Sequence, residues 1–237
     1  MSLFKESPED QSLVKMMTGI PNFKPKGYGK YIFGKEKLTA ERYDCKLCLY
    51  YKKGTTGCSQ NRCPYAGQRI IAGTASRSEA LKEIAYETNV KSLKKRLYKY
   101  IRESGNDHMN YLNSKHRIAF TEATRKLNKN DYALILMSAV YLLTADFKLW
   151  TAAKRYTNRN KIEFNKIQLK NSSEESYTLL CAAKDLYLGT KHITAKDLAD
   201  TDLIPPKMFG LICNAMAIRR FGLGAINFTM ERKICNA

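Results

Sequence analysis

Residues 132–145 read YALILMSAVYLLTA, fourteen positions without a charged side chain. A helix that is apolar on every side is either a membrane span or the centre of a core. A bilayer needs about 20 such residues, and here Asp146 follows at once. The stretch therefore predicts a buried core helix, with Asp131 as its cap, and a mainly α fold built around it.

The flanking sequence predicts the helices that would cover it. On the N-terminal side, Ser114 is expected to cap a helix running to about Leu127. On the C-terminal side, a helix is expected over Lys148–Tyr156, then a strand or extended connection in KIEFNKIQLK, residues 161–170. Ser172 and Glu175 have capping-box spacing and open a helix that should stop at Gly189. Thr194 opens a short helix, and Pro205-Pro206 a longer one, PPKMFGLICNAMAIRRFG. Further upstream, Ser76 and Glu79 form a second capping box. It starts a helix over Arg77–Arg102 with Leu81, Ile84, Ala85, Leu93, Leu97, Tyr100 and Ile101 at helical spacing, and Thr88-Asn89-Val90 is a candidate break. Four segments result: a basic and aromatic arm (1–40), a cysteine-rich module (41–75), a basic amphipathic helix (76–105) and a helical domain (106–237).

The charge balance points to the partner. The chain has 237 residues, 41 Lys and Arg against 22 Asp and Glu, and a net charge of +19. Its apolar share, 44%, is that of a folded protein, which excludes a wholly disordered or collagen-like chain. A charge this large repels itself unless a polyanion is the natural partner. Nucleic acid is the expected one, with an anionic membrane surface as the alternative. The charge is densest in KSLKKRLYKYIR, residues 91–102, where Lys91, Lys94, Lys95, Arg96, Lys99 and Arg102 are expected to present cations to a phosphate backbone while Leu93, Leu97, Tyr100 and Ile101 pack inward. The arm adds Phe23, Tyr28, Tyr31 and Phe33 among its lysines, a combination that contacts phosphates and stacks on bases.

Beside the basic helix stands a cysteine cluster, Cys45-x2-Cys48-x9-Cys58-x4-Cys63. Two close thiolate pairs joined by a short loop suit tetrahedral Zn²⁺, and a closed Cys₄ set makes the metal structural. Gly54 and Gly57 permit the turn between the pairs, and Lys46, Lys52, Lys53 and Arg62 add positive charge that favours thiolates and extends the basic surface. An iron–sulfur cluster is the alternative, since Cys63-Pro64 is shared with motifs that close such clusters, although the ligand spacing differs. The remaining cysteines, 181, 213 and 235, are isolated, and Cys181 and Cys213 read as core residues. The polar start MSLFKESPED lacks an export signal, so a reduced bacterial cytoplasm is the expected location.

No phosphate-binding loop, nucleophile elbow, zinc-protease or deaminase motif occurs, and no catalytic residue is assigned. A nuclease around Asp107, His108 and His116 is a third-rank reading. The stretch HITAKDLADTDLIPPKMFGLICNAMAIRRFGLG, residues 192–224, has the outline of a helix-turn-helix, which makes a DNA-binding regulator the alternative to a general nucleic-acid binder.

The stretches MNYLNSKHRIAFTEATRKLNKNDYALILMSAVYLLTAD and SYTLLCAAKDLYLGTKHITAKDLADTDLIPPKMFGLICNAMAIRRFGLGAI resemble small basic proteins of Gram-positive conjugative elements and phages. They lie within residues 109–226, about half of the chain. The resemblance implies the company of anti-CRISPR proteins that inhibit Cas9. It transfers no functional residue. The resulting expectation is a non-catalytic binder of nucleic acid or of a ribonucleoprotein such as a CRISPR effector.

Overall fold

The computed structural model describes residues 39–41, 43–45, 48, 50–51, 62–104, 111–127, 133–169 and 172–223. The arm up to residue 38, Lys46, Lys52, Lys53, Cys58, residues 105–110 with Asp107 and His108, Asp131 and Cys235 lie outside the described residues. Those that are described belong to one compact unit. They form eight α-helices: α1 (Ala66–Ile71), α2 (Arg77–Glu87), α3 (Lys91–Glu103), α4 (Ser114–Arg125), α5 (Ala133–Ala145), α6 (Phe147–Lys154), α7 (Glu174–Leu188) and α8 (Pro206–Phe221). Short 3₁₀ turns stand at Phe164–Lys166 and Asp197–Ala199.

The fold is mainly α, and the apolar stretch is its axis. α5 packs against α4, α6, α7 and α8, and ten of its thirteen residues are buried. Its hydroxyls bond to their own helix: Ser138 Oγ donates to the Ile135 carbonyl at 2.8 Å and Thr144 Oγ1 to that of Val140 at 2.8 Å. That lets two polar side chains sit in an apolar core at little cost.

Caps set the helix boundaries. The Ser76–Glu79 capping box is present in both directions and opens α2. Asp146 caps α6, its carboxylate accepting from Leu149 N at 2.7 Å. Two caps fall one residue from the sequence expectation. Asn113, not Ser114, caps α4, and Ser173, not Ser172, caps α7. In both places two cap-forming residues are adjacent, and propensity alone does not rank them. Gly189 ends α7 at φ 74°, a left-handed position that disfavours any Cβ. Residues 161–169 form neither an α-helix nor a regular strand; they make one antiparallel bridge, Thr157 to Ile162, and then a 3₁₀ turn.

A buried polar chain crosses the bundle. Arg77 is 1% exposed. Its Nε donates to Asn214 Oδ1 at 2.7 Å and its Nη2 to the Tyr100 hydroxyl at 2.7 Å. Asn214 Nδ2 in turn donates to the hydroxyl of Tyr141, at 3.0 Å. Four helices, α2, α3, α5 and α8, are thereby held in one register. Gly210 makes room for it: a Cβ there would stand 2.3 Å from the Tyr100 hydroxyl. A satisfied network of this kind rigidifies a core that apolar contacts alone leave adjustable.

Candidate nucleic-acid interface

The break at 88–90 occurs, and it separates the expected long helix into α2 and α3. α3 packs on α2 and on the 3₁₀ turn at Asp197–Ala199. Its buried residues are Leu93, Arg96 and Leu97. At 3.6 residues per turn, Lys91, Lys95, Tyr98, Lys99 and Arg102 share an arc of about 100° on the opposite side. All five are exposed. Lys99 pairs weakly with Glu103, at 3.9 Å across one turn. Among the described residues, Lys91, Lys95 and Arg102 have no carboxylate partner.

Arg96 is a correction to the sequence expectation. It is 8% exposed and does not belong to the cationic face. It lies three residues after Leu93 and four before Tyr100, on the stripe that packs inward. There it donates to the backbone carbonyls of Leu198, at 2.8 Å, and Asp200, at 2.5 Å, and also to that of Ile204. Its guanidinium stands 4.2 Å from the centre of the Phe209 ring. Burial lowers its pKa below the usual arginine value. Arg96 therefore fastens the 198–204 turn to α3.

Arg62 and Lys94 are brought together from separate segments. The Arg62 guanidinium stacks 3.8 Å over Tyr86 and the Lys94 ammonium stands 5.5 Å from the same ring. Arg62 is partly neutralised by Glu83, 2.7 Å away. The edge of the cysteine module is thus continuous with the start of α3. Sequence reading overlooked the aromatics of this surface, Tyr86 and Tyr98. The place of Tyr98 on the Lys95–Arg102 stripe is the signal that identifies it.

Three of the four cluster cysteines are described, Cys45, Cys48 and Cys63, all as half-buried free thiols. Cys48 N donates to Cys45 O at 3.0 Å, the tight turn that a C-x2-C pair requires, and Cys63 O receives Ala66 N at 3.2 Å where α1 begins. Among the described residues no three His, Cys, Asp or Glu side chains converge as a metal site. Burial, then the neighbouring Cys63 and Cys48 sulfurs, push the Cys45 thiol upward against the pull of Arg69. Arg69 Nη1 holds Glu79 Oε1 at 2.7 Å and its Nη2 the Thr74 carbonyl at 3.1 Å. Its Nε is buried with no hydrogen-bond partner. The Arg69 guanidinium also interacts with the Cys63 and Cys45 side chains, and a cysteine sulfur can accept such an N–H.

His116 and α8, the centres of the nuclease and helix-turn-helix readings, are both enclosed by the bundle. His116 is 2% exposed. Its Nδ1 accepts from Leu112 N at 3.1 Å, so Nε2 carries the proton and donates to the Tyr141 carbonyl at 2.9 Å. Burial draws its pKa down to about 4, against the raising effect of that carbonyl. Both ring nitrogens are occupied, which leaves neither for a metal or a substrate. The expected helix after Thr194 is only a 3₁₀ turn. α8, the recognition helix of a helix-turn-helix reading, is buried from Met208 to Phe221 except at Met216, Arg219 and Arg220. Its exposed residues are confined to its two ends, Pro206 and Lys207 and then Arg219 and Arg220. Arg220 is moreover paired with Glu87. Cys181 and Cys213 are buried as expected, and burial pushes the Cys213 thiol up to about 12. Among the described residues no helix is long and apolar enough to cross a membrane.

No family model, curated protein or solved structure matches the chain.

Proposed function

We propose that this chain binds nucleic acid, without catalysis of its own, through the exposed face of α3. The observation that supports this reading is the row Lys91, Lys95 and Arg102, cations on one helical face with no carboxylate partner among the described residues. Maintaining them side by side on a chain of net charge +19 costs self-repulsion that a phosphate backbone relieves. Arg62 and Lys94 on Tyr86 extend the surface toward the cysteine module, whose sequence adds the charges of Lys46, Lys52 and Lys53.

The test is salt dependence. Affinity of the wild-type chain for a nucleic acid should fall about a thousandfold between 50 and 200 mM salt, as six or so phosphate contacts imply. Replacing Lys91, Lys95 and Arg102 by Glu should reduce the slope of log affinity against log salt by about two to three. A flat response in the wild type, or an unchanged slope in the variant, contradicts the proposal.

In this proposal Cys45, Cys48, Cys58 and Cys63 hold one structural zinc that fixes the module beside α3. Elemental analysis of protein purified without added metal should find one zinc per chain. Cys48→Ser should lose it and retain the helical circular dichroism signal, because the helices have their own core. No metal, or iron with visible absorbance, overturns the assignment.

The resemblance of residues 109–226 supports a finer form of the proposal, in which the nucleic acid belongs to a Cas9-type effector. Affinity capture from a host lysate, with nuclease treatment of one half, tests it. An inhibitor co-purifies with the effector; a plain nucleic-acid binder releases everything it holds.

A further inference from the structure

We infer that the nucleic acid bound on α3 is single-stranded, with a base stacked on Tyr98. The inference rests on the proposed function and specifies its ligand. Tyr98 is 42% exposed. The other aromatics of α2 and α3, Tyr86 and Tyr100, are engaged. Arg62 lies 3.8 Å over Tyr86, and Tyr100 is at 5.5 Å edge-on to Phe209. Among the described residues, no ring or cation covers Tyr98. Its neighbours along the helix face are Lys95 one turn before, Lys91 two turns before and Arg102 one turn after. The stripe runs about 16 Å at 1.5 Å per residue, with the ring in its midst.

An open π-face between cations is the arrangement by which a protein holds an unpaired strand: lysines follow the phosphates and a base lies on the ring. A duplex keeps its bases stacked and presents phosphates and groove edges, which the cations can meet but on which the ring cannot stack. The face also lacks the Asn and Gln that read adenine edges in a groove. Stacking on it should therefore tolerate any sequence. Tyr177 supplies the contrast. It is 59% exposed, yet it stands three residues after Glu174, which is also exposed, in a setting that repels phosphate.

The experiment compares a 20-nucleotide single strand, oligo-dT or oligo-U, with a duplex hairpin of equal charge, by fluorescence anisotropy at fixed salt. The wild-type chain should bind the single strand more tightly than the hairpin. Tyr98→Ala should weaken single-strand binding on the order of ten- to a hundredfold and leave hairpin binding and the salt slope unchanged. Tyr98→Phe should bind as the wild type does, and so should Tyr177→Ala. If Tyr98→Ala changes both ligands equally, or neither, the single-strand inference fails. If replacing Lys91, Lys95 and Arg102 by Glu still abolishes binding in that case, the proposed function survives without it. If that triple replacement has no effect on either ligand, both fail.

Discussion

α3 and α5 are each thirteen residues long and have opposite compositions. α5 contains no charged residue and is enclosed on nearly every side. α3 has seven charged residues and is enclosed on one side only. Residue type alone orders α5 correctly but fails twice in α3, where an arginine is buried and a tyrosine exposed. What decides burial is position on the helix face. Arg96 sits on the stripe of Leu93 and Tyr100, so it is enclosed and finds carbonyls. Tyr98 sits on the stripe of Lys95 and Arg102, so it faces outward. The same helix therefore separates two roles that its sequence runs together, holding the fold and meeting a partner.

The sharpest way to break that comparison is at Arg96. Arg96→Met strips a charged donor from the carbonyls of Leu198, Asp200 and Ile204. It should lower stability by about 4 kcal/mol, read by urea unfolding. Lys95→Met, one residue away, should cost under about 0.5 kcal/mol. Equal effects at the two positions would mean that Arg96 is not buried as described.

His116 probes the enclosed side of α5 by pH. Its folded pKa, about 4, lies below the ordinary histidine value of 6.5. The folded state thus favours the neutral ring, and the stabilisation is fully present above pH 6.5. It is lost as pH falls from 6.5 toward 4, by on the order of 3 kcal/mol. His116→Gln keeps a donor and an acceptor without titrating there, and should flatten unfolding free energy over that window. A variant as acid-sensitive as the wild type would show that another group sets the acid response.

Gly210 gives the smaller effect. Gly210→Ala brings a methyl to within 2.3 Å of the Tyr100 hydroxyl, which is already held by Arg77. Displacing it should cost about 2 kcal/mol. In a Tyr100→Phe background, which has already lost the Arg77 bond, Gly210→Ala should cost less than in the wild type, because the clashing oxygen is gone. An equal cost in both would point to Phe209 packing instead.

Much of the fold is legible in the sequence because local signals coincide with it. The uncharged run of α5, the Ser76–Glu79 box, the break at 88–90 and Gly189 each mark a boundary by chemistry confined to a few residues. What escapes depends on distant partners. Nothing near Arg77 indicates that Asn214, 137 residues later, receives its Nε. Nothing near Arg96 shows that the 198–204 turn offers three carbonyls, although its helical phase already places it among apolar residues. The cationic face is readable from spacing alone, but the pairing of Arg62 with Glu83 and of Arg220 with Glu87 needs the tertiary structure. For the metal, the spacing of the four cysteines is the signal in the sequence, and among the described residues no three possible ligands converge.

Ultraviolet cross-linking of the intact chain to a single-stranded oligonucleotide, with the attached peptides mapped by mass spectrometry, tests the central claim most directly. Adducts should concentrate on residues 91–102, with Tyr98 the foremost site and further ones toward Arg62 and Tyr86. Adducts confined to the exposed ends of α8, at Lys207 and Arg219, with α3 unmodified, would contradict it.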